Sequence, residues 1–273
     1  VAEAVEACAD DTKGQTCFIC TQALHWKTKE GLVRGCACRG TAGFAHVSCL
    51  AEQAKILIAE VEENNLGDDA FNARWVRWHV CSICEQHHHS VVLCALGWAC
   101  WKTYLGRPET DDIRSFAMTE LGNGLALAGH HADALPVREA ELATLRRVGA
   151  PMRTMLAAQS NLANTYQFLG RFDKCLHMQQ VVYSGCLKLN GEEHPEALSA
   201  ALNYANGLNH LQRFDETKSV MRKTISVARR VLGNSHEYTL KMNWIYAIAL
   251  CKDNGATLDD RREAATTLED MDR

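Results

Sequence analysis

The sequence predicts a mostly α-helical protein in two parts, a small module stapled by two metal ions followed by an array of helical repeats. Three observations predict it. Eight potential metal ligands fall in order as close pairs: Cys17 and Cys20, Cys36 and Cys38, His46 and Cys49, then Cys81 and Cys84. Gly149, Gly191 and Gly233 are spaced by 42 residues, as are Leu156, Leu198 and Leu240, and Ala163, Ala205 and Ala247. Between and beside these, apolar residues recur at helical spacing, as in Leu50, Ala54, Leu57, Ile58 and Val61.

Composition bounds the functions open to the chain. Its 273 residues are 47% hydrophobic and 23% charged, the balance of a folded globular protein. The formal charge of -4 treats cysteines as neutral; metal-bound thiolates and two Zn²⁺ move it to about -7, which argues against a broad nucleic-acid surface. The most basic stretch, Arg222, Lys223, Arg229 and Arg230, lies on a predicted helix and reads as a solvated face. The longest apolar run, Val91 to Trp101, is short of the roughly 20 residues that span a bilayer, so no membrane insertion is expected. Seven of the thirteen cysteines sit at metal spacings and no signal-like start precedes them, which suits a reducing cytoplasm or nucleus. An opening on Val1 and a close inside a helical pattern suit a segment of a longer chain.

Taken in order, residues 1–16 read as an N-terminal tail and residues 17–90 as the metal module. Two residues between partners give a tetrahedral zinc knuckle, and eight ligands make two closed sites that leave no coordination position for water or substrate. The expected cofactor is therefore two structural zinc ions. The 31 residues between the third and fourth pairs begin with an amphipathic helix, turn at Asn64 to Gly67, and reach Cys81 through a short helix carrying Trp75 and Trp78. His87, His88 and His89 read as a polar loop, with a third metal site as the alternative. Cys8, Cys94, Cys100, Cys175, Cys186 and Cys251 lack paired spacing and read as small buried hydrophobes.

The ligand pattern C-x2-C, C-x-C, x7, H-x2-C, C-x2-C, with Cys38, Arg39, Gly40 and Thr41 leading to His46, Cys49 and Leu50, resembles the RING-CH (RING-variant) zinc finger family. A PHD finger shares the ligand order but has a wider second pair and a tryptophan two residues before the seventh ligand, where this chain has His79. Spacing alone leaves a sequential pairing open. The resemblance implies an interleaved cross-brace, with Cys17, Cys20, His46 and Cys49 on one ion and Cys36, Cys38, Cys81 and Cys84 on the other. It further implies a ubiquitin ligase that supplies no nucleophile and recruits a ubiquitin-conjugating enzyme through Ile19 and an aromatic near the seventh ligand. Trp78 is the candidate for that aromatic, with packing against the insert as the alternative. Two positions depart from the family: Gln53 stands where many members have tryptophan, and Glu85 where many active modules have Arg or Lys.

Residues 91–108 read as a linking helix that Gly106 and Pro108 stop. Residues 109–273 read as stacked helix pairs, because a fixed period that long means repeated supersecondary units. The pairs turn at Gly170, Arg171, Phe172 and Asp173, then again at Arg213, Phe214 and Asp215. A degenerate earlier unit contains Gly122, Gly129 and Leu135, and the last is stretched around Asn254 to Leu258. This region resembles tetratricopeptide repeats of the kinesin-light-chain type, whose inter-repeat loops look like Gly191, Glu192, Glu193, His194 and Pro195. A protein or peptide partner is expected on the surface built by the first helix of each pair. Asn161 and Asn164 share a helix face, Asn203 and Asn206 repeat them, and Asn123 aligns with Asn164, so these five are candidate peptide-binding residues, with capping or inter-helix bonding as their other use.

The combination predicts either a ubiquitin ligase that selects substrate with its repeats or a non-catalytic scaffold stiffened by zinc. No phosphate loop and no nucleophile paired with a base accompanies the closed sites, which argues against a metalloenzyme.

Overall fold

Closely spaced metal ligands favour tight turns over regular structure, and a short helix, α1 (Ala2–Ala7), precedes the turns that carry the first five ligands. The computed structural model describes residues 1–269 of the chain, and they are mostly helical. Among them β pairing is limited to isolated bridges, Val33 with Ala45 and Val80 with His87. From the fifth ligand onward come α2 (Val47–Glu63), which carries the sixth ligand Cys49, α3 (Asp68–Trp75), one 3-10 turn (Val76–Trp78), α4 (Ser90–Tyr104), α5 (Asp112–Leu127) and α6 (His131–Arg147). These elements form the first of two compact units, residues 1–148.

The core of that unit is built from what the metal loops leave free. Ala4 and Cys8 at its N-terminal end pack with Leu32, Val33, Phe44, Val47 and Leu50 and with Val92 and Leu96 of α4. The insert between the third and fourth ligand pairs packs differently. Ala54 and Ile58 of α2, Trp75 and Trp78 bury themselves against Cys100 and Tyr104 of α4 and Ile113 and Ala117 of α5. Ring contacts at 5.7 Å (Trp75 with Tyr104) and 5.8 Å (Trp78 with Tyr104) tie the cluster, and Arg107 clamps Glu62 of α2 through two 2.7 Å bonds. The helices α4 and α5 cross at backbone contact: a Cβ on Gly97 would lie 2.8 Å from the Glu120 carbonyl, and one on Gly124 would lie 2.8 Å from that of Leu93. The apolar helix α4 thus pairs with α5 as well as following the metal loops.

Among its described residues the second unit holds three helix pairs: α7 (Met152–Phe168) with α8 (Phe172–Asn190), α9 (Pro195–His210) with α10 (Phe214–Leu232), and α11 (Glu237–Lys252) with α12 (Leu258–Glu269). Ala163, Ala205 and Ala247, one per period, are all buried where helices approach. Gly191 and Gly233 end α8 and α10 with φ of 83° and 94°, a conformation glycine adopts without strain. His194 and His236 then cap α9 and α11, each ring Nδ1 accepting from the main-chain N–H two residues on. The basic stretch on α10 is tied to acids: Arg222 to Glu263, Lys223 to Glu192 and Arg230 to Glu193. Of the six unpaired cysteines, Cys8, Cys94, Cys100, Cys175 and Cys186 are buried as expected, but Cys251 is exposed near the C-terminal end of α11. No helix among the described residues is long and apolar enough to cross a membrane.

Candidate metal centres

The eight ligands converge in two groups. Cys17, Cys20, His46 and Cys49 form one, and Cys36, Cys38, Cys81 and Cys84 the other, with the donor atoms of each within 4.8 Å of one another. The pairing is interleaved, and it brings Cys81 and Cys84 back across the whole insert to the second pair. Thiolates and one imidazole in half-buried or buried four-donor groups are the donor chemistry of structural zinc, so two Zn²⁺ fit these residues.

Both knuckles are the same local structure. Cys17-Phe18-Ile19-Cys20-Thr21-Gln22 and Cys81-Ser82-Ile83-Cys84-Glu85-Gln86 share the pattern C-x-I-C-x-Q. In each, the first cysteine donates its N–H to the glutamine carbonyl at 3.0 Å, and the fifth residue donates back to the cysteine carbonyl. That fifth residue is left-handed in both, Thr21 at φ 61° and Glu85 at φ 55°. The turn is strained without glycine, and a bound metal would supply the compensating constraint.

Surrounding groups orient the ligands. His46 directs Nδ1 toward Cys20 and Cys49 while Nε2–H donates to the Ala23 carbonyl at 3.4 Å, which fixes the tautomer that presents a lone pair to the metal. Burial lowers the His46 pKa further, keeping the ring neutral. Burial raises the thiols of Cys36 and Cys49 and takes Cys38 up to about 11, whereas the backbone amide of Gln86 leads in holding Cys84 at about 7. Glu30 Oε1 accepts from the Ser48 N–H at 2.7 Å, capping the helix that carries Cys49. Gly43 is wedged against the second group: at φ 82°, a Cβ there would lie 2.5 Å from Cys38 Cβ and 3.3 Å from Cys36 Sγ. Neither Glu30 nor Gly43 is marked by ligand spacing; both act through contacts closed only on folding.

Of the two candidate docking residues, Ile19 is 37% exposed and borders a groove of about 370 Å³ with His25, Trp26, Gln53, Ile56 and Leu57. Trp78 is 1% exposed, sealed among Tyr104, Trp75 and the α2 face, so the structure corrects its assignment to a docking surface. Trp75 is buried as well, its Nε1–H donating to Glu120 at 3.0 Å. Two exposed apolar side chains in the groove were missed by ligand spacing: Trp26 at 69% and Ile56 at 50%. Ile56 could have been found, because it stands off the Ala54, Ile58, Val61 stripe that buries α2.

The five candidate asparagines have different surroundings. Asn123, in the first unit, accepts from Arg138 at 3.2 Å and so serves its own helix pair. In the second unit Asn203 borders a cavity of about 320 Å³ with Arg153, Leu156, Ser160, Ser199 and Tyr238. Asn164 is exposed, and Asn161 and Asn206 are half-buried.

Comparison with known proteins agrees with both parts. Residues 17–65 match the family model of the RING-variant domain, and residues 155–196 and 197–238 each match that of the tetratricopeptide repeat. The chain therefore carries a RING-variant domain and a helical solenoid with two such repeats. Cys81 and Cys84 lie beyond the RING-variant match, and folding supplies them to the second metal group. Among solved structures, the chain is similar to the kinesin light chain nearly identical TPR-like repeats of Podosopora anserina, at TM-score 0.56 and 18% identity over 83% of this chain and 95% of that one. A single-substitution variant of the same repeats matches at TM-score 0.56 and 20% identity, covering 83% and 94%. At such identity the likeness shows the fold alone. No curated protein sequence matches this chain.

Proposed function

We propose that this protein is a RING-type ubiquitin ligase that seats a charged ubiquitin-conjugating enzyme on its metal module and a protein substrate on its repeats. The observation that carries this reading is the apolar groove between the first knuckle and α2. Ile19, Trp26 and Ile56 stand open to solvent there, on loops and a helix that the metal ligands hold in place. Exposed apolar side chains on a rigid frame are the physical signature of a protein interface.

When bound, zinc supplies only cross-links, since four protein donors close each site. What the chain itself contributes is position. Ile19 is aimed outward because its own N–H bonds back to Cys17 Sγ at 3.4 Å. Ubiquitin transfer then needs no side chain of this protein as nucleophile; holding the thioester partner and the acceptor close raises their effective concentration. The cavity along α7, α8 and α9, with Ser160, Ser199 and Asn203 beside apolar walls, suits an extended protein segment. A reducing cytoplasm or nucleus suits the thiolate ligands.

The test is discharge of ubiquitin from a panel of charged conjugating enzymes by the zinc-loaded chain. Acceleration that Ile19→Ala removes supports the ligase. Absence of acceleration across the panel sinks it and leaves the second reading, a non-catalytic scaffold. Two observations favour that alternative: Gln53 where the groove could carry an aromatic, and an exposed acid, Glu85, directly after the last ligand.

A further inference from the structure

We propose that Asn254 is a self-modification site: its carboxamide converts to isoaspartate through attack by the Gly255 main-chain nitrogen, and the product loosens the closing helix α12. Neither metal nor partner takes part, so the site stands apart from the ligase reading.

Four Asn-Gly steps occur in the chain, at Asn123, Asn190, Asn206 and Asn254, and a following glycine leaves the attacking nitrogen uncrowded. The fold treats them differently. Asn123-Gly124 lies inside α5 and Asn206-Gly207 inside α9. Asn190 ends α8, where the Leu187 carbonyl holds the Gly191 N–H at 3.0 Å. Its carboxamide is fixed at both atoms, donating to Glu196 at 2.7 Å and accepting from Arg153 at 3.3 Å. In all three, the side-chain carbon meets the next nitrogen only after a helix opens.

Asn254 lies instead where the repeat is stretched. Residues 169–171 and 211–213 join the helices of the first two pairs, whereas residues 253–257 join α11 to α12. Asn254 and Gly255 are exposed there on a turn closed by the Ala256 N–H on the Asp253 carbonyl at 3.0 Å. The Gly255 N–H meets the Asp253 carboxylate at 3.0 Å, an exposed bond that water can replace. The Asn254 carboxamide has no hydrogen-bond partner among the described residues.

The chemistry balances without a redox partner. Hydroxide takes the Gly255 amide proton and the nitrogen bonds to Asn254 Cγ. The Cγ–Nδ2 bond then breaks and ammonia leaves, protonated by water, which returns the hydroxide. Water opens the succinimide at either carbonyl, giving aspartate or isoaspartate. Isoaspartate routes the main chain through Cβ, adding one backbone carbon and a negative charge. Both flanks of the turn are anchored against that change. Asp253 is held by Lys218 at 2.6 Å, and Thr257 and Asp260 cap α12 reciprocally, with bonds of 2.8 Å and 3.1 Å from their main-chain N–H groups. A longer backbone between fixed ends breaks one of them. Ala264 is the one buried residue of α12 among those described, so the helix has little packing to resist release.

The experiment ages the full zinc-loaded chain at neutral and mildly alkaline pH and follows all four sites by peptide mapping with mass spectrometry, isoaspartyl and aspartyl peptides being separated chromatographically. Conversion at Asn254 is expected to run at least about tenfold faster than at Asn123, Asn190 or Asn206, and faster at the higher pH. Gly255→Ala should remove most of it; the added Cβ comes no nearer than 3.7 Å to Asp253 Oδ1, so the variant folds. Hydrogen exchange across α12 should rise in the isoaspartyl fraction and stay at the parent level in Asn254→Asp, which adds the charge without the extra carbon. Conversion at Asn254 no faster than at Asn190 overturns the site. Conversion with exchange across α12 unchanged overturns its coupling to the helix.

Discussion

Ile19 and Ile83 occupy one position in two copies of the same knuckle: each donates its main-chain N–H to the preceding ligand sulfur, Cys17 or Cys81, at 3.4 Å, and each leaves its side chain exposed. The equivalence explains how a region with few regular elements is held. Two identical hairpins, far apart in sequence, each donate two ligands to a different metal group, and the intervening segments are pinned between them.

The interleaving makes a distinctive prediction about metal content. Cys36→Ser and Cys81→Ser act on one group and Cys17→Ser on the other, so each variant should retain about one zinc per chain in place of two. Sequential pairing instead puts Cys17 and Cys36 on the same ion. Metal content of the double variants separates the two: Cys36→Ser with Cys81→Ser should keep about one ion, and Cys17→Ser with Cys36→Ser close to none.

Gly43→Ala should damage the second group without touching a ligand. The added methyl meets Cys38 Cβ and both sulfurs of that pair, on a backbone already left-handed. Gly40, three residues earlier at φ 62°, has open space around it and isolates the backbone cost, roughly 1 kcal/mol for alanine. Gly43→Ala should lose clearly more stability than Gly40→Ala and release zinc at lower chelator concentration; equal behaviour of the two would refute the packing argument.

Glu120 joins the insert to α5. Its Oε1 accepts from Trp75 Nε1–H at 3.0 Å and from His79 Nδ1–H at 3.0 Å. Glu120→Ala strands the buried indole N–H, which should cost about 1–3 kcal/mol in chemical denaturation. Trp75→Phe combined with Glu120→Ala should then cost less than the two separate losses together, because the stranded donor is gone.

His88 gives the first unit an acid-sensitive point. Both ring nitrogens are buried without a partner, and burial takes its pKa down from 6.5 to about 4. The unfolded chain therefore binds the extra proton first as pH falls. Stability is complete above pH 6.5 and is lost as pH drops through 6.5 toward 4, about 3 kcal/mol in all. Between pH 7.5 and 5, His88→Leu should lose roughly 2 kcal/mol less stability than the parent, while protonation of the metal ligands acts on both alike. Parallel pH profiles would remove His88 from the account.

The metal module and the repeats were legible in the amino-acid order because both are written locally. Knuckle geometry depends on residues five apart, and the 42-residue period reports a unit that each copy rebuilds for itself. The interleaved pairing of ligands was carried by family resemblance, and convergence of the donor atoms bears it out. Trp78 shows where local pattern runs out. Beside the seventh ligand it has the look of a surface anchor, yet Tyr104, more than twenty residues on, closes over it. Trp26 is the converse, an aromatic in a polar loop that no distant segment covers. Whether a large apolar side chain ends inside or outside depends on which remote helix arrives, and that is a property of packing: burial is decided by contacts between segments whose separation no spacing rule records. For the same reason Gly43, Glu30 and Glu120 acquire their roles only once the chain has closed around them.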